Sequence, residues 1–186
     1  IGWIAKQVGP SLVLVHSMLG RCMASPPTAA FQALKRVYRY LQGKPRLGLK
    51  FTRSKIYNWR DGEFPPITLQ ADAAFAGDTA DRKSQGAVLA KLDNMAPAYF
   101  ASMKLSRVAT STGYAESQAA AKGTYQAEYW YNLTRFLEVK QPGPLLLELD
   151  NQSAVLGLGS DIRKFSPQSK HHDIDCKHVV ECVEMG

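Results

Sequence analysis

The chain has 186 residues, with 23 Lys and Arg against 16 Asp and Glu, a formal net charge of +7 and a pI near 9.4. This is room for one ordinary domain plus an appendage, and the basic excess favours a polyanionic partner over an acidic-substrate pocket. Three widely spread cysteines, with no charged-then-apolar leader, argue against a secreted disulfide scaffold and for an intracellular, reducing home. Apolar runs such as Ser11–Leu19 fall short of the roughly 20 residues that span a bilayer, so a soluble protein with no membrane partner is expected. The chain opens at Ile1-Gly2-Trp3 without Met and stops at Glu184-Met185-Gly186 after an apparent helix, as a fragment of something longer would.

From Ser11 to Met23, apolar residues recur at helical spacing with Ser11 as a potential N-cap. After Pro26-Pro27, Thr28 can cap a second helix that lines up Phe31, Leu34, Tyr38 and Leu41 and ends before Gly43. Its opposite face carries Lys35, Arg36 and Arg39, either a solvated surface or a nucleic-acid track. Residues 44–66, rich in Pro and Gly, predict a linker with a brief strand at Leu47–Thr52 and a boundary near Phe64.

Beyond the linker, strands are expected at Ile67–Ala73, Gly86–Leu92 and Pro97–Ser102, forming a meander. A long helix follows over Tyr114–Val139, with Gly123-Thr124 expected to bend or divide it. Leu145–Leu149 predicts a strand, and Asn151–Leu158 and His171–Glu184 predict helices. Together these make an α/β domain with a mixed sheet flanked by helices, preceded by a small helical segment.

Three acids stand where such a fold builds sites: Asp72 and Asp150 at strand ends, and Glu116 near the start of the long helix. If the two strands are neighbours and the helix crosses them, the carboxylates converge and repel unless protonated or bridged by cations. An all-oxygen cluster favours Mg²⁺ or Mn²⁺ over Zn²⁺. Elsewhere, His172, Cys176, His178 and Cys182 lack paired Cys-x-x-Cys spacing and fall on a predicted helix, where such residues pack or face solvent, so no zinc site is expected.

The wording around the acids is more specific than their spacing. Gln70-Ala71-Asp72-Ala73-Ala74-Phe75-Ala76-Gly77-Asp78, followed by Asp81-Arg82-Lys83-Ser84, is similar to a Ser-Asp-Ala-Asp-Trp-Ala-Gly-Asp and Asp-Arg-Lys-Ser block. Val108-Ala109-Thr110-Ser111-Thr112 leading to Ala115-Glu116 is similar to Ser-Ser-Thr-Glu-Ala-Glu, and Asp150-Asn151-Gln152-Ser153-Ala154 matches Asp-Asn-Gln-Ser-Ala. Ser169-Lys170-His171-His172-Asp173-Ile174 resembles Thr-Lys-His-Ile-Asp-Ile. Upstream, residues 33–43 resemble Ala-Leu-Lys-Arg-Val-Leu-Arg-Tyr-Leu-Lys-Gly. In this order the five motifs resemble copia-type LTR retrotransposon polyproteins, from the end of the reverse transcriptase through the ribonuclease H domain. Departures are Ala74 for an Asp, Phe75 for a Trp and Tyr114 for a Glu, and the block after Lys83 is one residue shorter.

The resemblance implies a ribonuclease H-like fold over 65–186, truncated at its C-terminus, after a thumb- or connection-like helical tail and linker at 1–64. It implies two-metal hydrolysis of the RNA strand of RNA·DNA hybrids, with Asp72, Glu116 and Asp150 as catalytic metal ligands for two Mg²⁺, Mn²⁺ being able to substitute. Thr110, Ser111, Thr112, Asn151, Gln152 and His171 are the expected substrate contacts, reading the hybrid through its minor groove; helix capping and loop solvation are the plainer alternative. The family's usual fourth carboxylate segment does not occur, and Asp173 or Asp175 is the available substitute. Expected partners are the hybrid and the polymerase region of a parent polyprotein, in a cytoplasmic virus-like particle or the nucleus. The competing reading is an impaired module that grips hybrid or only packs against the polymerase. An integrase-like nuclease fits the Asp-Asn-Gln-Ser-Ala motif poorly, and the absence of Tyr-x-Asp-Asp excludes polymerisation by this segment.

Overall fold

The computed structural model describes residues 1–52, 57–78, 80–93, 95–150 and 170–185, leaving aside the side chains of Trp59, of residues 170–173 and of Met185. Its centre is a four-stranded mixed sheet in the order β3-β2-β1-β4, from β1 (Ile67–Ala74), β2 (Gln85–Leu92), β3 (Pro97–Lys104) and β4 (Leu146–Leu149). The first three strands form an antiparallel meander, and β4 runs parallel to β1. A parallel neighbour requires a crossover, and α4 (Thr112–Phe136) provides it. These strand senses and flanking helices make the α/β domain with a mixed sheet that was expected from the sequence.

Alternation sets which face of β1 is covered: Ile67, Leu69, Ala71 and Ala73 are buried, while Asp72 and Ala74 are exposed. The long helix α4 is buried on two sides, which explains its small residues. Ala115 and Ala119 join the core under β1 and β2, while Ala120 and Ala121 pack with Val179 of α5 (Lys170–Met185). Gly123 does not divide α4, which runs unbroken for 25 residues. A β-carbon there would lie 2.8 Å from Leu147 Cδ1 and 3.3 Å from Ala71 Cβ, so the missing side chain lets the helix approach the sheet. Packing, rather than helix propensity, selects glycine at this position.

The N-terminal segment has its own small core of Ala5, Leu12 and Val37, formed by α1 (Gly2–Gln7), α2 (Val13–Arg21) and α3 (Thr28–Gln42). Helix α1 had no counterpart in the sequence analysis. Ser11 is not a cap: Pro10–Leu12 makes a 3-10 turn and Leu12 precedes α2 without a side-chain cap. Thr28 is the first residue of α3 rather than its cap. No strand forms at Leu47–Thr52, which is irregular because no neighbouring strand pairs with it. Phe64 donates its backbone N–H to Lys140 O at 3.0 Å and packs against the sheet core, so the sheet-bearing body extends back to Glu63 and Phe64. The helix expected at Asn151–Leu158 lies outside the described residues. Among those residues, no helix is long and apolar enough to cross a membrane, and all three cysteines are free thiols.

Helix α2 docks on the edge of the sheet through a polar network. Lys104 Nζ stands 2.7 Å from both Asp78 Oδ2 and Asp81 Oδ2, and Arg21 reaches Asp78 Oδ2 through Nη1 at 3.3 Å and donates to Gln85 Oε1 through Nη2. Fully buried Ser84 accepts the Ala76 N–H at 3.1 Å. Asp78, Asp81 and Ser84, which helped carry the motif resemblance, thus pin the β1–β2 turn.

Candidate metal centre

The pairing of β1 with β4 ends at Ala71 opposite Leu149, so the next residue on each strand is an aspartate. Adjacent strands lie about 4.8 Å apart, which puts Asp72 and Asp150 side by side. Glu116 reaches them from above: Ser111 caps α4, accepting the Tyr114 N–H at 3.1 Å, and starts the helix so that its second turn faces these strand ends. One carboxylate oxygen from each of Asp72, Glu116 and Asp150 lies within 4.8 Å of the others.

The three sites differ in exposure. Asp72 and Asp150 are exposed, whereas Glu116 is only 6% exposed. Burial, then the charges of Asp72 and Asp150, push the Glu116 carboxyl up to about 7, against a partial counter-effect from the Ala73 backbone N–H. Glu116 Oε2 is buried without a hydrogen-bond partner. An orphaned buried carboxylate oxygen facing two more carboxylates fits a hard divalent cation, which would satisfy the oxygen and cancel the repulsion that raises its pKa.

Thr110, Ser111 and Thr112 are exposed at the start of α4, and the Ser111 hydroxyl accepts the Tyr114 N–H. Asn151 and Gln152 lie outside the described residues; His171 and Asp173 fall on the α5 backbone with their side chains outside them. Asp175, the other substitute for a fourth acid, pairs with Arg107 at 2.6 Å beside a cavity of about 110 Å³ that Gln118 and Lys122 also line. Sequence reasoning missed Glu128 of α4, whose carboxylate lies against His178 and Cys182 of α5. The i, i+4 spacing of the latter pair was visible, but Glu128 stands 50 residues earlier in the chain and only the helix packing joins them.

No family model matches the sequence. The Retrovirus-related Pol polyproteins from transposons RE1 and RE2 of Arabidopsis thaliana are 25% and 26% identical over 177 residues, 95% of this chain. The chain spans 11% of the length of those polyproteins. Secreted RxLR effector protein 161 of Plasmopara viticola is 32% identical over 126 residues, covering 68% of this chain and 82% of that protein. Among solved structures, RNase H1 from the halophilic archaeon Halobacterium salinarum NRC-1 is similar over 63% of this chain and 78% of its own, at a TM-score of 0.43 and 11% identity. The foamy viral protease-reverse transcriptase in complex with RNA/DNA hybrid is similar over 75% of this chain and 18% of its own, at a TM-score of 0.44 and 12% identity. The matches to the two polyproteins cover 95% of the chain and so take in Asp72, Glu116 and Asp150, and the chain's homologues over that length are Pol polyproteins of copia-type retrotransposons.

Proposed function

We propose that this segment is the ribonuclease H part of a retroelement reverse transcriptase, and that it hydrolyses the RNA strand of RNA·DNA hybrids. The observation that carries this reading is the meeting of three carboxylates, one of them buried with an unpartnered oxygen, at adjacent strand ends of a ribonuclease H-like sheet. Asp72, Glu116 and Asp150 would hold two Mg²⁺ ions, or Mn²⁺ in their place. Bound divalent cations supply an activated attacking water and charge neutralisation at the leaving 3′ oxygen.

The protein's own part is positioning. Asp72, exposed on β1, is open to an incoming phosphodiester, and β4 ends beside it at Asp150, which is exposed as well. Glu116, steadied by the Ala73 N–H, closes the site from the core side. Capping by Ser111 aims α4 and leaves Thr110 and Thr112 to meet the hybrid's minor groove, where a 2′-hydroxyl distinguishes RNA from DNA. Asn151, Gln152 and His171 complete the substrate contacts in this proposal, and Asp173 is its fourth carboxylate. Residues 1–64 serve as the tail of the polymerase, residues 65–186 as the nuclease domain. The parent's polymerase region is the partner, inside a virus-like particle or the nucleus.

The test is cleavage of a labelled hybrid with Mg²⁺, Mn²⁺ or EDTA, against all-RNA and all-DNA duplexes. Metal-dependent cutting confined to the RNA strand of the hybrid is expected; folded protein that cuts nothing would overturn the reading.

A further inference from the structure

Twelve residues beyond Glu116, roughly 18 Å along α4, Glu128 meets α5. His178 and Cys182 stand one turn apart on the same face of α5, with Cys182 Sγ 4.0 Å from His178 Nδ1. Cys182 Sγ lies 3.3 Å from Glu128 Oε1, and His178 Nε2 lies 3.8 Å from Glu128 Oε2. One ligand atom from each residue falls within 4.8 Å of the other two. His178 Nε2 is buried and has no hydrogen-bond partner, although its ring is held by stacking on Tyr125 with centroids 4.3 Å apart. The contact belongs to a packed interface, since Cys176 and Val179 of α5 are buried.

We propose that Glu128, His178 and Cys182 form a binding site for a borderline-soft divalent transition metal, Zn²⁺ above all, that staples α5 to α4. Thiolate, imidazole and carboxylate are the sulfur, nitrogen and oxygen donors that zinc takes at about 2.3, 2.0 and 2.1 Å. Tetrahedral geometry at those lengths separates ligand atoms by about 3.3–3.7 Å. The Cys182–Glu128 separation of 3.3 Å already falls in that range, and rotation of the His178 ring and the Glu128 carboxylate would close the 3.8 Å and 4.0 Å separations that His178 makes. Three protein ligands leave the fourth position to water. Binding exchanges the Cys182 thiol proton for the cation, and the proton passes to solvent. A thiolate-bearing site discriminates against Mg²⁺, so this staple and the carboxylate cluster take different cations from the same solution.

Co²⁺, a spectroscopic stand-in for Zn²⁺, is the probe. Titrated into the full chain, it should bind one equivalent with a thiolate-to-cobalt charge-transfer band that Zn²⁺ displaces. Cys182→Ser should abolish the band, and His178→Gln and Glu128→Gln should each weaken binding at least 10-fold, the loss expected for a ligand or its orienting neighbour. Asp72→Asn and Cys22→Ser should leave the band intact. Failure to form the band, or a band that survives Cys182→Ser, would overturn the proposal. The unsubstituted chain gives an independent reading by mass spectrometry after alkylation: Zn²⁺ should slow modification of Cys182 and not of Cys22, and an unchanged Cys182 rate would refute the staple.

Discussion

The two ends of the buried part of α4 carry the same residue type in opposite settings. Glu116 is buried among carboxylates, its pKa raised to about 7, with an oxygen that nothing satisfies. Glu128 is half-buried and faces a thiol and an imidazole. The first setting concentrates negative charge and therefore calls for hard divalent cations; the second supplies soft and borderline donors. One rigid helix can thus present two metal chemistries about 18 Å apart, the difference lying in what the neighbouring strands and helix bring to each end.

The largest effect expected from breaking this contrast is at the hard end. Asp72→Asn keeps the shape but removes charge, and hybrid cleavage should fall by at least about 10³-fold with hybrid affinity nearly kept. Steady-state cleavage alongside a binding isotherm would show this, and undiminished turnover would dismiss the site.

Next is the stretch of α4 between the two ends. Gly123→Val drives a branched side chain into Leu147 and Ala71, which should cost about 2–3 kcal/mol in denaturant unfolding and depress cleavage by lifting Glu116 from the strand ends. A neutral effect would mean that α4 does not pack so closely on the sheet.

Glu116→Gln should act in the other direction on stability. Without divalent cations at pH 8, removing one of three clustered charges should raise Tm by a few degrees, as active-site substitutions that trade function for stability do. The sign follows from linkage: a raised carboxylate binds its proton more tightly in the folded state, so the metal-free protein loses stability as pH climbs from 4.5 to about 7. The variant should lack that slope, and an identical slope would mean that Glu116 is not charge-stressed.

The smallest effect lies off the helix and shows what an ordinary carboxylate does. A hydrogen bond from Lys104 holds Asp78 down at about 2, so its contribution is present above pH 3.8 and is lost as pH falls towards 2. Lys104→Met should lower Tm slightly at pH 7, with the gap closing over that acidic range; a gap independent of pH would point to lost packing of the lysine stem instead.

The carboxylate cluster was legible in the sequence mainly through the motif wording around its three acids, and β-strand register brings two of them together. Ala71 opposite Leu149 makes the meeting of Asp72 with Asp150 unavoidable. The soft cluster was not legible, because it depends on the rotation of α5 about its own axis, which 16 residues of weak periodicity do not specify. Gly123 misled for a related reason: intrinsic propensity marks it as a helix breaker, but at that point tertiary contact with Leu147 decides. Ser111 lent itself to both a substrate contact and a cap, and its hydroxyl accepts the Tyr114 N–H as a cap does.

The most direct test of the account is Mn²⁺ binding followed by electron paramagnetic resonance in the unsubstituted chain and in the Asp72→Asn/Glu116→Gln/Asp150→Asn variant. The carboxylate cluster predicts protein-bound Mn²⁺ that Mg²⁺ displaces and that disappears in the folded variant. Equal Mn²⁺ binding by both proteins would contradict the claim that these three residues form the metal centre.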